Sequence, residues 1–170
     1  MIKEAMKNDN NILDRSIYED EIFMKMNTEM GNATKVEYDI YKSLLNNMME
    51  ELPYAAHKKS PDLMITIKVS YETMIRRIIK RGRDYEQIEK DPSLVDYYHR
   101  LLSHYDDWMD EYDESPLLII DGDKYDFVAD VKDRVKILET IEDKLYDLGN
   151  LEQTKVDELR KAHLEILKQQ

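Results

Sequence analysis

The 170-residue sequence contains no cysteine. This excludes disulfides, thiolate catalysis and thiolate-ligated zinc, and it suits a reducing, cytoplasmic setting. Glycine occurs only at positions 31, 82, 122 and 149. None of the four stands in the kind of Gly-rich turn whose backbone N–H groups cradle a triphosphate. No run approaches 18 apolar residues, so nothing reads as a membrane-spanning helix. The opening stretch MIKEAMKNDNN lacks the apolar core of a secretory signal. Basic residues are in the minority, 25 Lys and Arg against 37 Asp and Glu, for a net charge of -12. Such a surface repels nucleic acid and anionic membrane, so neither is expected as a partner, and a local basic cluster requires a special reason. The histidines at 57, 99, 104 and 163 show no metal-ligand spacing, and no metal is assigned to them.

What is present suffices for a core. Hydrophobic residues make up 42% of the chain, and its length suggests one domain. Ile12-Leu13 reads as the end of a short strand followed by a loop. Residues 18–30 and 35–52 read as helices, the second with Tyr38, Tyr41, Leu44, Leu45 and Met48 recurring every three or four positions. LMITIKV, residues 63–69, is the best strand, mostly apolar and β-rich, as a strand buried on both faces should be. Ser70 is placed to cap a helix over 71–80. The stripe from Leu94 through Tyr98, Leu102, Tyr105 and Met109 predicts one long helix whose aromatics serve core and interface. A strand over 117–120 and a helix over 128–148 follow. Short apolar strands separated by helices predict an α/β fold, a partial parallel sheet with covering helices. Beyond Gly149-Asn150, residues 151–168 predict a terminal amphipathic helix that docks on the body or on a partner, with Val156, Leu159, His163 and Ile166 on one face.

The basic cluster is RRIIKRGR, residues 76–83. Arg77 and Arg81 share a helix face, and Gly82 lets the backbone turn sharply before Arg83. One reading is a solvated helix end that pairs with Asp84, Glu86, Glu89 and Asp91. The other is an anion clamp, because guanidinium geometry matches phosphate oxygens and would stabilise charge on a transferring phosphoryl group.

DRSIYEDEIF (14–23) and RRIIKRGRDYE (76–86) together resemble the two signature segments of the deoxynucleoside kinases, closest to the deoxyadenosine/deoxyguanosine kinases of Gram-positive bacteria. DGDKYDF (121–127) follows in the expected order, and the resemblance covers about residues 1–148. It implies a nucleoside kinase fold of P-loop NTPase type and phosphoryl transfer from ATP, with Mg²⁺, to the 5′-hydroxyl of a deoxynucleoside, here a purine. It also implies a homodimer. By the same resemblance Arg15, Arg77, Arg81 and Arg83 act on the phosphates, with 76–86 as the lid. Asp20 reads the base, beside Asp14, although a helix-start carboxylate favoured by the dipole is the simpler reading of Asp20. Glu86 holds the sugar 3′-hydroxyl, and Arg81, Arg83, Asp126 and Phe127 contact the donor nucleotide.

The sequence departs from the family in lacking the Gly-rich phosphate loop and the general-base carboxylate of the second strand. The expectation is therefore an N-terminally truncated kinase missing its first two strands. Alone it would be inactive, bind ATP and Mg²⁺ weakly, and associate with a second copy or with the missing N-terminal segment. The alternative is a noncatalytic binding or interaction protein on a remnant kinase scaffold, suggested by the helix after residue 148. A sheet without those strands loses ladder partners and apolar cover, against a whole-domain stability of only about 5 to 15 kcal/mol. The chain is thus expected to be aggregated, partly ordered or obligately associated. A dispersed amide spectrum from a monomer that melts cooperatively near about 50 °C is the opposite result.

Overall fold

A computed structural model describes residues 11–14, 17–51 and 60–168 of the chain. They divide into two compact units, the chain passing between them after residues 61, 81 and 112.

The first unit contains helices α1 (Ile17–Glu29), α2 (Lys35–Glu51) and α4 (Leu94–Glu111), with a 3₁₀ turn at Asp84–Glu86. Acidic Glu19 and Asp20 open α1, where the helix dipole favours negative charge. Gly31, at φ 77°, closes it. There the Gly31 N–H reaches the Thr28 carbonyl at 3.1 Å and the Asn32 N–H reaches that of Asn27 at 2.9 Å, a Schellman ending. A reciprocal capping box opens α2: the Thr34 N–H donates to Glu37 Oε2 at 2.7 Å, and the Glu37 N–H to Thr34 Oγ1 at 3.2 Å. Between α1 and α4 lie buried Ile22, Met26, Tyr98 and Met109, with Phe23 edge-on to Tyr105.

Two expectations need correction in this unit. Ile12-Leu13 is not a strand, and Ile12 is fully exposed. A strand requires a ladder partner, and the described residues of this unit contain no sheet. Leu44 and Met48 do not share the packed face of α2 with Tyr38, Tyr41 and Leu45. They join Val36 and Ile40 on an exposed line at four-residue spacing. The Tyr38 hydroxyl, on the opposite, packed face, donates to Glu21 Oε1 at 2.6 Å.

The second unit is α/β, with β1 (Met64–Lys68), α3 (Tyr71–Arg81), β2 (Leu117–Asp121), α5 (Val131–Asp147) and α6 (Gln153–Lys168). The strands pair in parallel, Met64 opposite Leu117 through Lys68 opposite Asp121. The ladder is extended at both ends, by Met64 N–H to Pro116 O at 2.9 Å and by Gly122 N–H to Lys68 O at 2.8 Å. β1 was expected to be buried on both faces. Met64 is buried, but Ile65 and Ile67 are 40% and 48% exposed. Among the described residues the ladder has two strands and leaves two edges without a neighbour, and α5 lies on β2. The start of α5 falls at Val131 because the Asp130 side chain accepts from the N–H groups of Lys132 and Asp133 at 2.7 and 3.2 Å.

The terminal helix docks on its own unit. Val156 and His163 of α6 are buried against α5. Arg160 reaches Glu142 at 2.8 Å, the Glu139 carbonyl at 3.1 Å, and Asp143. His163 Nε2 lies 3.3 Å from Glu142 Oε1, while its Nδ1 is buried without a hydrogen-bond partner. Burial holds the Glu142 carboxyl above the usual Glu value, the neighbouring carboxylates reinforcing this and the charges of His163 and Arg160 opposing it. Glu21 is shifted the other way. Its burial works upward, but hydrogen bonds from Tyr38 and Lys42 and the lysine charges outweigh it.

These shifts predict opposite acid responses at two contacts. A raised carboxyl pKa contributes stability that is complete below the unfolded value of 4.5 and is lost as pH rises through the folded value. A lowered one contributes stability that is present above 4.5 and is lost as pH falls through the folded value. Segment-resolved amide exchange, corrected for intrinsic rates, is expected to show the α5–α6 contact tightening as pH approaches 4.5 from above and the α1–α2 contact loosening below it. The two contacts responding in the same direction would contradict these assignments.

Candidate active site

In the first unit, Asp14 is exposed ahead of α1, and Arg15 lies outside the described residues. Asp20 is exposed in the first turn of α1, where the dipole favours its charge. It lies close enough to α2 to act on Tyr41. Burial, and after it the charges of Asp20 and Glu21, hold the Tyr41 hydroxyl proton above its usual range. The Tyr38 hydroxyl is held higher still, by burial and by its hydrogen bond to Glu21. Lys42 Nζ completes the group at 2.9 Å from Glu21. The start of α1 and the inner face of α2 thus form a patch of carboxylates and tyrosine hydroxyls, able to accept hydrogen bonds from amino or ring N–H groups. The sequence reading took Tyr38 and Tyr41 only as apolar positions of a helix. The available signal was a hydroxyl at two otherwise apolar positions three residues apart.

The turn after Gly82 belongs to the same unit. Arg83 Nη1 lies 3.4 Å from Glu86 Oε1, with the arginine half exposed and the carboxylate largely covered. The Glu86 carbonyl accepts from the hydroxyl of buried Tyr98 at 2.9 Å, which fastens the turn to α4. Lys90 pairs with Asp84 at 2.7 Å. Part of the basic stretch is therefore paired locally, as a solvated helix end would be.

The rest of that stretch lies in the second unit, the division falling between Arg81 and Gly82. Arg81 is exposed in the last turn of α3, where the dipole favours a cation. Arg76 donates to Thr73 Oγ1 at 3.1 Å. Arg77 Nη2 donates to the backbone carbonyls of Gly122 and Tyr125, at 2.7 and 3.3 Å. The loop it meets is closely built. A Cβ on Gly122 would come within 2.6 Å of Val69 Cγ1 and 2.9 Å of Ile67 Cγ2, so only glycine fits. Asp121 Oδ1 accepts from the N–H groups of Asp123 and Lys124. Both Asp123 oxygens accept from the Ser70 N–H, at 3.1 and 2.9 Å, and Oδ1 also from the Ser70 hydroxyl at 3.0 Å. Ser70 in turn caps α3 through the Thr73 N–H at 3.3 Å. Further along, the Asp126 N–H donates to Asp133 at 2.7 Å, and Arg134 binds the carbonyls of Phe127 and Val128. Sequence reasoning did not find Asp123, Asp133 or Arg134.

Among the described residues no three His, Asp or Glu side chains are grouped to hold a metal ion. Nor is any described helix long and apolar enough to cross a membrane.

A family model, deoxynucleoside kinase, matches residues 1–146. The chain is 55% identical over 150 residues to the deoxyguanosine kinase of Lactobacillus acidophilus, covering 88% of this chain and 65% of that one. It is 49% identical over 150 residues to the deoxyadenosine kinase of the same organism, covering 88% and 69%. To the deoxyadenosine/deoxycytidine kinase of Bacillus subtilis it is 32% identical over 137 residues, covering 80% and 59%. No solved structure gives a significant match. The chain therefore belongs to the deoxynucleoside kinase family, and it spans about two thirds of the length of these Lactobacillus relatives.

The Tyr38–Glu21 bond can be tested directly. Tyr38→Phe removes a hydrogen bond to a partly exposed carboxylate and is expected to cost about 1 kcal/mol in denaturant unfolding. Asp130→Asn, in the other unit, serves as the control. A stability change below a few tenths of a kcal/mol would mean that the bond does not set the α1–α2 contact.

Proposed function

We propose that the chain carries nucleoside- and donor-recognition parts of a P-loop-type deoxynucleoside kinase that transfers the γ-phosphoryl group of ATP to the 5′-hydroxyl of a deoxynucleoside, with purines preferred. The observation that supports this most is that both signature segments, 14–23 and 76–86, fall inside the residues the family model matches. The relatives named as deoxyguanosine and deoxyadenosine kinases favour a purine. In this reading residues 1–148 are the kinase portion, with 76–86 as its lid, and 151–168 are an appended helix.

Each assigned role has its chemistry. Asp20, backed by Tyr41, accepts a hydrogen bond from the base, and Asp14 contributes to the same substrate site. The carboxylate of Glu86, set by Tyr98 and Arg83, receives the sugar 3′-hydroxyl. Arg15, Arg81 and Arg83 offer guanidinium groups to the phosphates, where positioned positive charge is most of what catalyses phosphoryl transfer. Asp126 and Phe127 stand in a loop fixed by Asp133 and Arg134 and contact the donor nucleoside. Guanidinium chemistry matches phosphate oxygens. The sequence has no Gly-rich phosphate loop, so turnover by these 170 residues alone is not expected. Homodimer formation and a cytoplasmic location belong to the same proposal. The helix that suggested a noncatalytic partner protein packs on α5 of its own unit, and this does not favour that alternative.

The test joins this chain to the residues of the L. acidophilus deoxyguanosine kinase that the matched stretch leaves out. ATP- and Mg²⁺-dependent phosphorylation of deoxyguanosine or deoxyadenosine is expected, with the unjoined chain below about 1 turnover per second. The absence of transfer to any deoxynucleoside overturns the kinase reading. A preference of about tenfold or more for deoxycytidine or thymidine overturns the purine assignment.

A further inference from the structure

Arg77 falls within the signature stretch, yet its guanidinium is turned toward protein. One nitrogen, Nη2, reaches two carbonyls of the DGDKYDF loop, those of Gly122 and Tyr125. From that loop Asp123 reaches back to the first turn of the same helix, taking the Ser70 N–H and hydroxyl. The loop is thus gripped at two points along α3, by residue 70 at its cap and by residue 77 two turns further on. Gly122 lies against the end of β1 closer than a Cβ would comfortably allow, and its N–H donates to the Lys68 carbonyl at 2.8 Å, which ties the loop to the strand. These contacts are charge-assisted, and each joins groups 45 to 53 residues apart in sequence.

We infer that Arg77 and Asp123 are positioning residues that weld the 121–127 loop to α3, so that the helix carrying Arg81 and the loop carrying Asp126 and Phe127 move as one piece. Arg77 would then act on the donor nucleotide through the loop, by fixing where Asp126 and Phe127 stand. Hydrogen bonds from Thr73 and Ser70, and after them the charge of Arg77, hold the Asp123 carboxyl below its usual range. The assignment of a donor-contacting loop rests on the kinase reading. The weld itself does not.

The experiment therefore has two arms. In the first, amide exchange is measured on the full 170-residue chain. The Asp123, Lys124 and Asp126 amides are each bonded within the loop or to α5. Arg77→Met is expected to speed exchange across 121–127 on the order of tenfold, with α6 unchanged. Asp123→Asn is expected to loosen residues 70–73 as well as the loop, and Arg77→Lys, which keeps one donor group, to restore part of the protection. If Arg77→Met also loses the protection of α6, the two milder variants decide by the same comparison. Unchanged exchange in the loop overturns the weld, whatever the activity.

The second arm uses the joined kinase. Arg77→Met is expected to raise the KM for ATP about tenfold, with kcat within about twofold and the KM for the deoxynucleoside unchanged. A fall in kcat of about a hundredfold at constant KM for ATP would place Arg77 on the transferring phosphate and overturn the positioning role. A joined protein without kinase activity counts against the kinase reading alone, and the exchange arm still decides the weld.

Discussion

The second unit depends on one close approach, that of Gly122 to the end of β1. Two parallel strands of five residues are a small sheet, and its register is extended beyond the strands by the Gly122 N–H to Lys68 carbonyl bond. Because residue 122 has no side chain, the chain leaving β2 stays pressed to the chain leaving β1. Ser70 and Asp123 can then meet, and α3 begins within reach of the loop that Arg77 closes. A larger residue at 122 would move Val69 and Ile67 aside and separate two segments that share their polar partners.

In the first unit, polar contacts and apolar burial agree on how the helices are rotated. The Tyr38 hydroxyl meets Glu21, and Tyr38, Tyr41 and Leu45 face inward. The Glu29 carboxylate lies 2.8 Å from His104 Nε2 and ties the end of α1 to α4. Met26 is completely buried between such contacts. A strongly acidic chain can hold this arrangement because its inward carboxylates are met by hydroxyl, imidazole or ammonium partners, so their charge is not left unpaired on burial.

The helices were legible in the sequence through apolar periodicity and caps, and glycine stops at 31, 82 and 149 close α1, α3 and α5. The bounds of α1, α2, α3 and α6 fall within a residue or two of those that the sequence predicts. Ser70 caps α3 as its position implied, and the stripe of α4 packs at Tyr98 and Met109. The strands were less legible. Burial on both faces of LMITIKV was inferred from composition, but composition cannot report how many neighbours a strand has. Ile65 and Ile67 remain exposed beside open edges. The two signature segments were recognised by their pattern, and both lie within the residues that the family model matches. Asp123, Asp133 and Arg134 were not, because their side chains meet backbone groups and a serine hydroxyl, which carry no sequence signature.

The bond from Tyr98 to the Glu86 carbonyl has a consequence for which changes of chain length the fold can absorb. The intervening residues 87–93 form an external connection, and an added residue there can bulge outward while the tyrosine keeps its place. An insertion at the start of α4 is different. Each residue added to a helix rotates everything beyond it by about 100°, which would swing the hydroxyl off the carbonyl and carry the aromatic stripe away from α1. The seam is thus permissive on one side of Leu94 and phase-locked on the other. Among relatives, length variation should gather before that residue and be purged just after it.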